Sequence, residues 1–125
     1  MLHHAVFRVL YPVFDKTFIY DSYSCRLGKG THRAVNRLDN FARKLSSNNS
    51  RVIYALKCDV RKFFDSIDKK VLINIMECKI KDPSAMWLIP SILNSFSKGL
   101  GKGLPLGNVT SQIFANIYLN ELDQY

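Results

Sequence analysis

Asp59 is the residue whose surroundings point most directly to chemistry. An apolar run from Val52 to Leu56 leads through Lys57 and Cys58 to this single carboxylate, after which the chain turns basic and aromatic through Arg61, Lys62, Phe63 and Phe64. Such a run reads as a buried strand delivering one acid to the end of a sheet, where open α/β sheets place ligands. A carboxylate there can hold a divalent cation. Two Mg²⁺ ions roughly 3.5–4 Å apart activate a hydroxyl and stabilise a departing phosphate in nucleotidyl transfer. In that chemistry Asp59 supplies a bridging carboxylate and the Val60 carbonyl completes the inner shell. Phe64, five positions after Asp59, would lie beneath the incoming sugar and collide with a 2′-hydroxyl. Acids at strand ends also serve as helix caps or surface turns, and that reading stands beside the catalytic one. Asp65 and Asp68 read as turn or cap residues.

Two further stretches combine glycine with other functional residues. Between Cys25 and Arg33, Gly28 and Gly30 flank Lys29, with Arg26 and Arg33 close by. Glycines let a backbone approach a phosphate chain closely, and the cations would hold it. A basic surface loop explains the same residues, and the glycine-lysine spacing of a nucleotide-binding P-loop is absent. From Gly99 to Gly107, four glycines and Pro105 exclude an ordinary helix and suit a hairpin or a tight backbone platform. The turn at Pro105 and Gly107 could support a nucleotide base and a primer terminus.

Helices must position these segments. Val6, Val9, Leu10, Val13 and Phe14 fall at helical spacing within residues 4–14, with Pro12 expected to end or kink the helix. Thr31 can cap a second helix with Ala34, Val35, Leu38, Phe41, Ala42 and Leu45 on its apolar side and Arg33, Arg37 and Lys44 on the other. A polar connection at residues 46–50 leads to the strand expected over Arg51–Cys58. Asp68 can cap a helix that buries Val71, Leu72, Ile75 and Met76, and Asp82-Pro83 starts another. Thr110 or Ser111 begins the last helix, with Ile113, Phe114, Ile117, Tyr118 and Leu122 apolar. Cys58 and Cys78 read as small core residues, and Met86 and Trp87 as core or partner packing.

The 125 residues, 47% hydrophobic and 12% aromatic, suit one folded domain. Three widely spaced cysteines give neither a disulfide framework nor a zinc spacing. No apolar run reaches the roughly 18 residues of a membrane span, and no secretory signal is recognisable, so a cytoplasmic setting is expected. Eighteen Lys and Arg against 10 Asp and Glu leave a formal charge of +8, which favours a polyanion such as nucleic acid.

The stretch Lys57–Asp68 resembles the first palm motif of bacterial reverse transcriptases related to group II intron and retron enzymes. Gly103–Asp123 is similar to the nucleotide-contacting loop and following helix of that family. The resemblance implies a helix-rich α/β (α+β) fold, a partial fingers-palm with a small incomplete antiparallel sheet. Residues 1–125 would form one partial domain, with residues 1–50 mainly fingers-like helices and a basic loop, and 51–125 a partial palm. The Tyr-x-Asp-Asp hairpin, primer grip and thumb of the family are absent, and an exposed sheet edge would then favour self-association. The implied activity is RNA-directed DNA synthesis by a bacterial or phage-encoded enzyme. Asp59 would be catalytic and, with Val60, would bind Mg²⁺; Phe64, Leu106 and Gly107 would contact the nucleotide. Arg26, Lys29, Arg33, Arg37, Asn108, Ser111 and Gln112 would contact nucleic acid. The partners would be template RNA, a DNA or RNA primer and deoxynucleoside triphosphates. Leu106 stands where the family usually carries glutamine, and in this the chain looks like the error-prone enzymes of diversity-generating retroelements. A nucleic-acid-binding module without chemistry is the alternative.

Overall fold

Aspartate side chains set where two of the helices begin. The Asp68 carboxylate accepts from the backbone N–H groups of Lys70 at 2.9 Å and Val71 at 3.2 Å, satisfying donors that a helix start leaves without partners. Asp82 accepts from Ala85 N at 2.7 Å, and Pro83 occupies the first turn, where a missing N–H costs nothing. The computed structural model describes residues 1–96 and 101–125. The helices are α1 (Leu2–Phe14), α2 (Thr31–Leu45), the short α3 (Phe63–Ser66), α4 (Lys69–Glu77), α5 (Pro83–Asn94) and α6 (Val109–Asp123), with a 3-10 turn at Asp15–Thr17.

The chain divides into two units, Met1–Ile19 with Arg61–Tyr125, and Tyr20–Val60. In the first, α6 packs against α1 and α4, and α4 against α5. Val6, Leu10 and Phe14 of α1, Leu72 and Met76 of α4, Ile89 and Leu93 of α5, and Ile113, Phe114 and Ile117 of α6 share one core. His3 Nδ1 and Thr110 Oγ1, 2.7 Å apart, tie the starts of α1 and α6 together. At the other end, Gln124 Nε2 donates to the Thr17 carbonyl at 2.8 Å. α1 runs on past Pro12 to Phe14, so proline near the end of the helix does not stop it.

The second unit contains α2 and the segment that follows it. Gly30 has φ +130°, a conformation open to glycine and rarely to other residues, and its carbonyl accepts from Ala34 N at 3.0 Å. The turn into the helix is therefore made at Gly30, and Thr31 is the first helical residue instead of the side-chain cap. Arg43 pairs with Asp39 one turn earlier, Nε to Oδ2 2.8 Å.

The sheet expected from the sequence is not formed among the described residues. Arg51–Val60 carries no strand pairing, and Val52, Tyr54 and Leu56 are exposed instead of buried. A strand needs a partner for alternate backbone groups, and the pairing recorded is one isolated antiparallel bridge, Asp68 with Lys102. The edge through which self-association was anticipated is thus not built as a strand. The apolar side of α2 is also open, with Val35, Leu38, Phe41 and Leu45 exposed. Cys58 and Cys78 are exposed rather than in the core; Cys78 follows the last turn of α4, and its thiol donates to the Asn74 carbonyl at 3.4 Å. Trp87 also lies outside the core, while Met86 is half-buried against it. Gly99 and Leu100 of the predicted glycine platform lie outside the described residues.

Candidate nucleic-acid interface and nucleotide loop

Three cations singled out in the sequence, Lys29, Arg33 and Arg37, come together in the second unit, which also holds Arg26. Lys29 Nζ donates to the Tyr20 carbonyl at 2.6 Å and stands 3.7 Å from the Tyr20 ring centre and 4.9 Å from that of Tyr23. Arg37 forks onto Asp21, Nε to Oδ1 2.9 Å and Nη2 to Oδ2 3.2 Å. Its guanidinium carbon is 4.2 Å from the Phe41 ring centre and 5.3 Å from that of Tyr20. Arg33 donates to the Gly28 carbonyl, and Arg26 to that of Ser22 at 3.0 Å. Cation–π contacts and carbonyl bonds fix long side chains that would otherwise sample many rotamers.

Tyr20, Tyr23, Lys29, Arg33, Asn36, Arg37 and Asn40 line an open cavity of about 350 Å³. Its wall combines the components that hold single-stranded nucleic acid, aromatic faces for bases and cations for phosphates. The Arg37 hydrogen bond holds the Asp21 carboxyl below the ordinary carboxylate range, and the same bond raises Arg37. Desolvation, followed by its hydrogen bond to Asp21, raises the Tyr23 hydroxyl. Arg37 is therefore already paired with a carboxylate, whereas Lys29 and Arg33 donate to backbone carbonyls.

A second cluster lies in the first unit, where α3 meets the glycine loop. Leu104 N donates to the Phe64 carbonyl and Gly103 N to that of Ile67, both at 2.9 Å, and Lys69 N donates to the Gly101 carbonyl at 3.2 Å. Gly103 has φ +93°, which suits glycine at this point of the seam. Ile67 and Leu104, 0% and 1% exposed, anchor the two sides in the core. The Phe64 ring is half-buried and meets Phe63 edge-on at 5.8 Å; Phe63 lies 6.4 Å from Tyr118. Leu106 stands out from the loop, 72% exposed, and Gly107 beside it is also exposed. Asn108 and Gln112 are half-buried at the start of α6, and Ser111 is buried there.

The sequence-predicted site residues thus fall into two groups. Phe64, Leu106, Gly107, Asn108, Ser111 and Gln112 belong to the first unit; Arg26, Lys29, Arg33, Arg37, Asp59 and Val60 belong to the second. Asp59 and Val60 are exposed. Among the described residues no group of three or more His, Cys, Asp and Glu comes together to hold a metal, and one carboxylate does not make a two-ion centre. Tyr20, Asp21, Tyr23, Asn36 and Asn40 were not singled out as site residues by the sequence. The pairing of Asp21 with Arg37 depends on how the loop folds back. No described helix is long and apolar enough to cross a membrane.

No family model matches the chain. Its curated relatives include group II intron-encoded proteins and intron maturases. Nuclear intron maturase 4, mitochondrial, of Arabidopsis thaliana is 32% identical over 130 aligned residues, covering 98% of this chain and 15% of that protein. The uncharacterized 91 kDa protein in cob intron of Schizosaccharomyces pombe is 31% identical over 123, covering 94% and 14%. Group II intron-encoded protein LtrA of Lactococcus lactis is 28% identical over 132, covering 100% and 21%. The chain spans about a fifth or less of the length of these three relatives.

Proposed function

We propose that the chain is part of an RNA-directed DNA polymerase that copies template RNA into cDNA from a DNA or RNA primer and deoxynucleoside triphosphates. The observation that carries this reading is the bonding of Leu104 N to the Phe64 carbonyl and of Gly103 N to that of Ile67. Two stretches distant in sequence, which the resemblance assigns to one nucleotide site, meet within one unit. Similarity to intron-encoded proteins along nearly the whole chain supports the same reading. In it, the Phe64 ring excludes a 2′-hydroxyl, the exposed Leu106 lies against the incoming nucleotide, and the Lys29 and Arg33 surface tracks RNA phosphates. Asp59 and the Val60 carbonyl would contribute to holding Mg²⁺, which would activate the primer hydroxyl, in a centre that the described residues do not complete. A bacterial or phage-encoded cytoplasmic setting belongs to the same proposal.

Leu106 carries the finer reading, error-prone copying at adenines as in diversity-generating retroelements. An apolar side chain cannot reject a mismatched partner as a hydrogen-bonding amide does. Leu106→Gln is expected to lower adenine misincorporation in an RNA-copying assay of the full-length protein; equal error rates would remove Leu106 from fidelity.

The cavity around Lys29 favours a second reading, nucleic-acid binding without chemistry, because its cations and rings are already assembled, while among the described residues no group of three or more His, Cys, Asp and Glu gathers to hold a metal. Anisotropy of a labelled single-stranded RNA, titrated with this chain at several salt concentrations, separates the two in combination with primer extension. Lys29→Ala is expected to flatten the log–log salt slope by about 0.7, one phosphate contact, and Asp59→Ala to leave it unchanged. An unchanged slope in Lys29→Ala would take Lys29 out of the interface. Persistent RNA binding by a full-length protein that copies no RNA would favour the second reading.

A further inference from the structure

Lys69 is a buried lysine at the start of α4, 3% exposed, and the proposed chemistry makes no use of it. Burying an ammonium costs free energy that a methionine of similar length would not incur. Desolvation accordingly lowers its pKa. The side chain has a definite task, since Nζ donates to the Phe96 carbonyl while the backbone N–H of the same residue donates to the Gly101 carbonyl at 3.2 Å. One residue therefore holds the chain on both sides of residues 97–100. Immediately beyond Gly101 come the Asp68–Lys102 bridge and the bonds from Gly103 to Ile67 and from Leu104 to Phe64. Lys69 lies at the end of this seam nearest Gly101, and the exposed Leu106 and Gly107 follow at its other end.

We infer that Lys69 is a positioning residue for the Gly103–Gly107 loop, its side chain and backbone together fixing the register of residues 101–104 against 64–68. The consequence for nucleotide selection rests on the proposed polymerase reading; the structural role does not. Replacing Lys69 by methionine removes the bond to Phe96 and also the cost of a buried charge. These changes oppose one another in global stability but not in the seam.

Amide hydrogen exchange in this chain tests the inference. Lys69→Met is expected to speed exchange at Gly103 and Leu104 about tenfold, the scale of one lost hydrogen bond, while the unfolding midpoint stays close to wild type. Lys69→Arg, which keeps a donor, is expected to restore slow exchange. Unchanged exchange in Lys69→Met, or collapse of the whole unit, would overturn the local role. In the full-length protein, Lys69→Met is expected to raise KM for deoxynucleotides about tenfold with kcat little changed, the pattern of lost binding that is equal in ground and transition states; unchanged KM in an active protein would also contradict the inference. A wild-type protein that copies no RNA would remove the polymerase reading and leave the exchange result to decide the role of Lys69.

Discussion

Asp59→Ala is expected to lower RNA-templated primer extension by the full-length protein about a thousandfold or more, since the role proposed for Asp59 as a metal-bridging carboxylate would make its loss cost several kcal/mol of transition-state stabilisation. The effect should fall on the chemical step and not on RNA binding, because the assembled cations lie around Tyr20 and Arg37. Asp68→Asn is the control. Asn caps a helix about as well as Asp, so the bonds to Lys70 and Val71 should persist and extension should stay near wild type. Single-turnover rates at saturating nucleotide measure both. A wild-type rate in Asp59→Ala would reduce Asp59 to a surface turn acid.

Phe114→Ala is expected to have the largest effect on stability, about 3–5 kcal/mol for a fully buried aromatic whose neighbours cannot close the space. Phe114 is 1% exposed on α6, the helix that packs against both α1 and α4. Removing it opens the place where the helices of the first unit converge. Domains have about 5–15 kcal/mol of net stability, so a substantial part would be lost. Urea unfolding of this chain followed by circular dichroism reads the change; a loss below about 1 kcal/mol would show that the helices repack without the ring.

Helices were legible in the sequence from their apolar stripes, and two of them also from a side-chain cap. Asp68 and Asp82 mark their helix starts as the residues suggest, and Leu72, Met76, Ile113 and Ile117 are buried as their spacing requires. The apolar run Val52–Leu56 misled because composition reports a capacity for burial, whereas a strand also needs paired backbone. Here the run carries no strand pairing and is exposed. The stripe on α2 gave the helix, and its apolar side is exposed, since nothing in periodicity supplies a covering partner.

The candidate site divides along similar lines. Lys29 and Arg33 could be named from their cluster around two glycines and Arg37 from the polar side of α2, but Tyr20, Asp21 and Tyr23 join them through a fold-back that carries no local sequence signal. The proximity of Phe64 to the glycine loop followed from the resemblance and not from any spacing. Lys69 was hidden because one of two adjacent lysines at a helix start reads as a solvated charge; its burial depends on carbonyls contributed by Phe96 and Gly101.

Extension of a labelled DNA primer annealed to RNA, with Mg²⁺ and all four deoxynucleotides, tests the polymerase reading most directly when performed with the full-length protein that contains this chain. Template-dependent products that lengthen with time and disappear when the RNA template is omitted are expected. A folded, RNA-binding protein that adds no deoxynucleotide to the primer would contradict the polymerase reading.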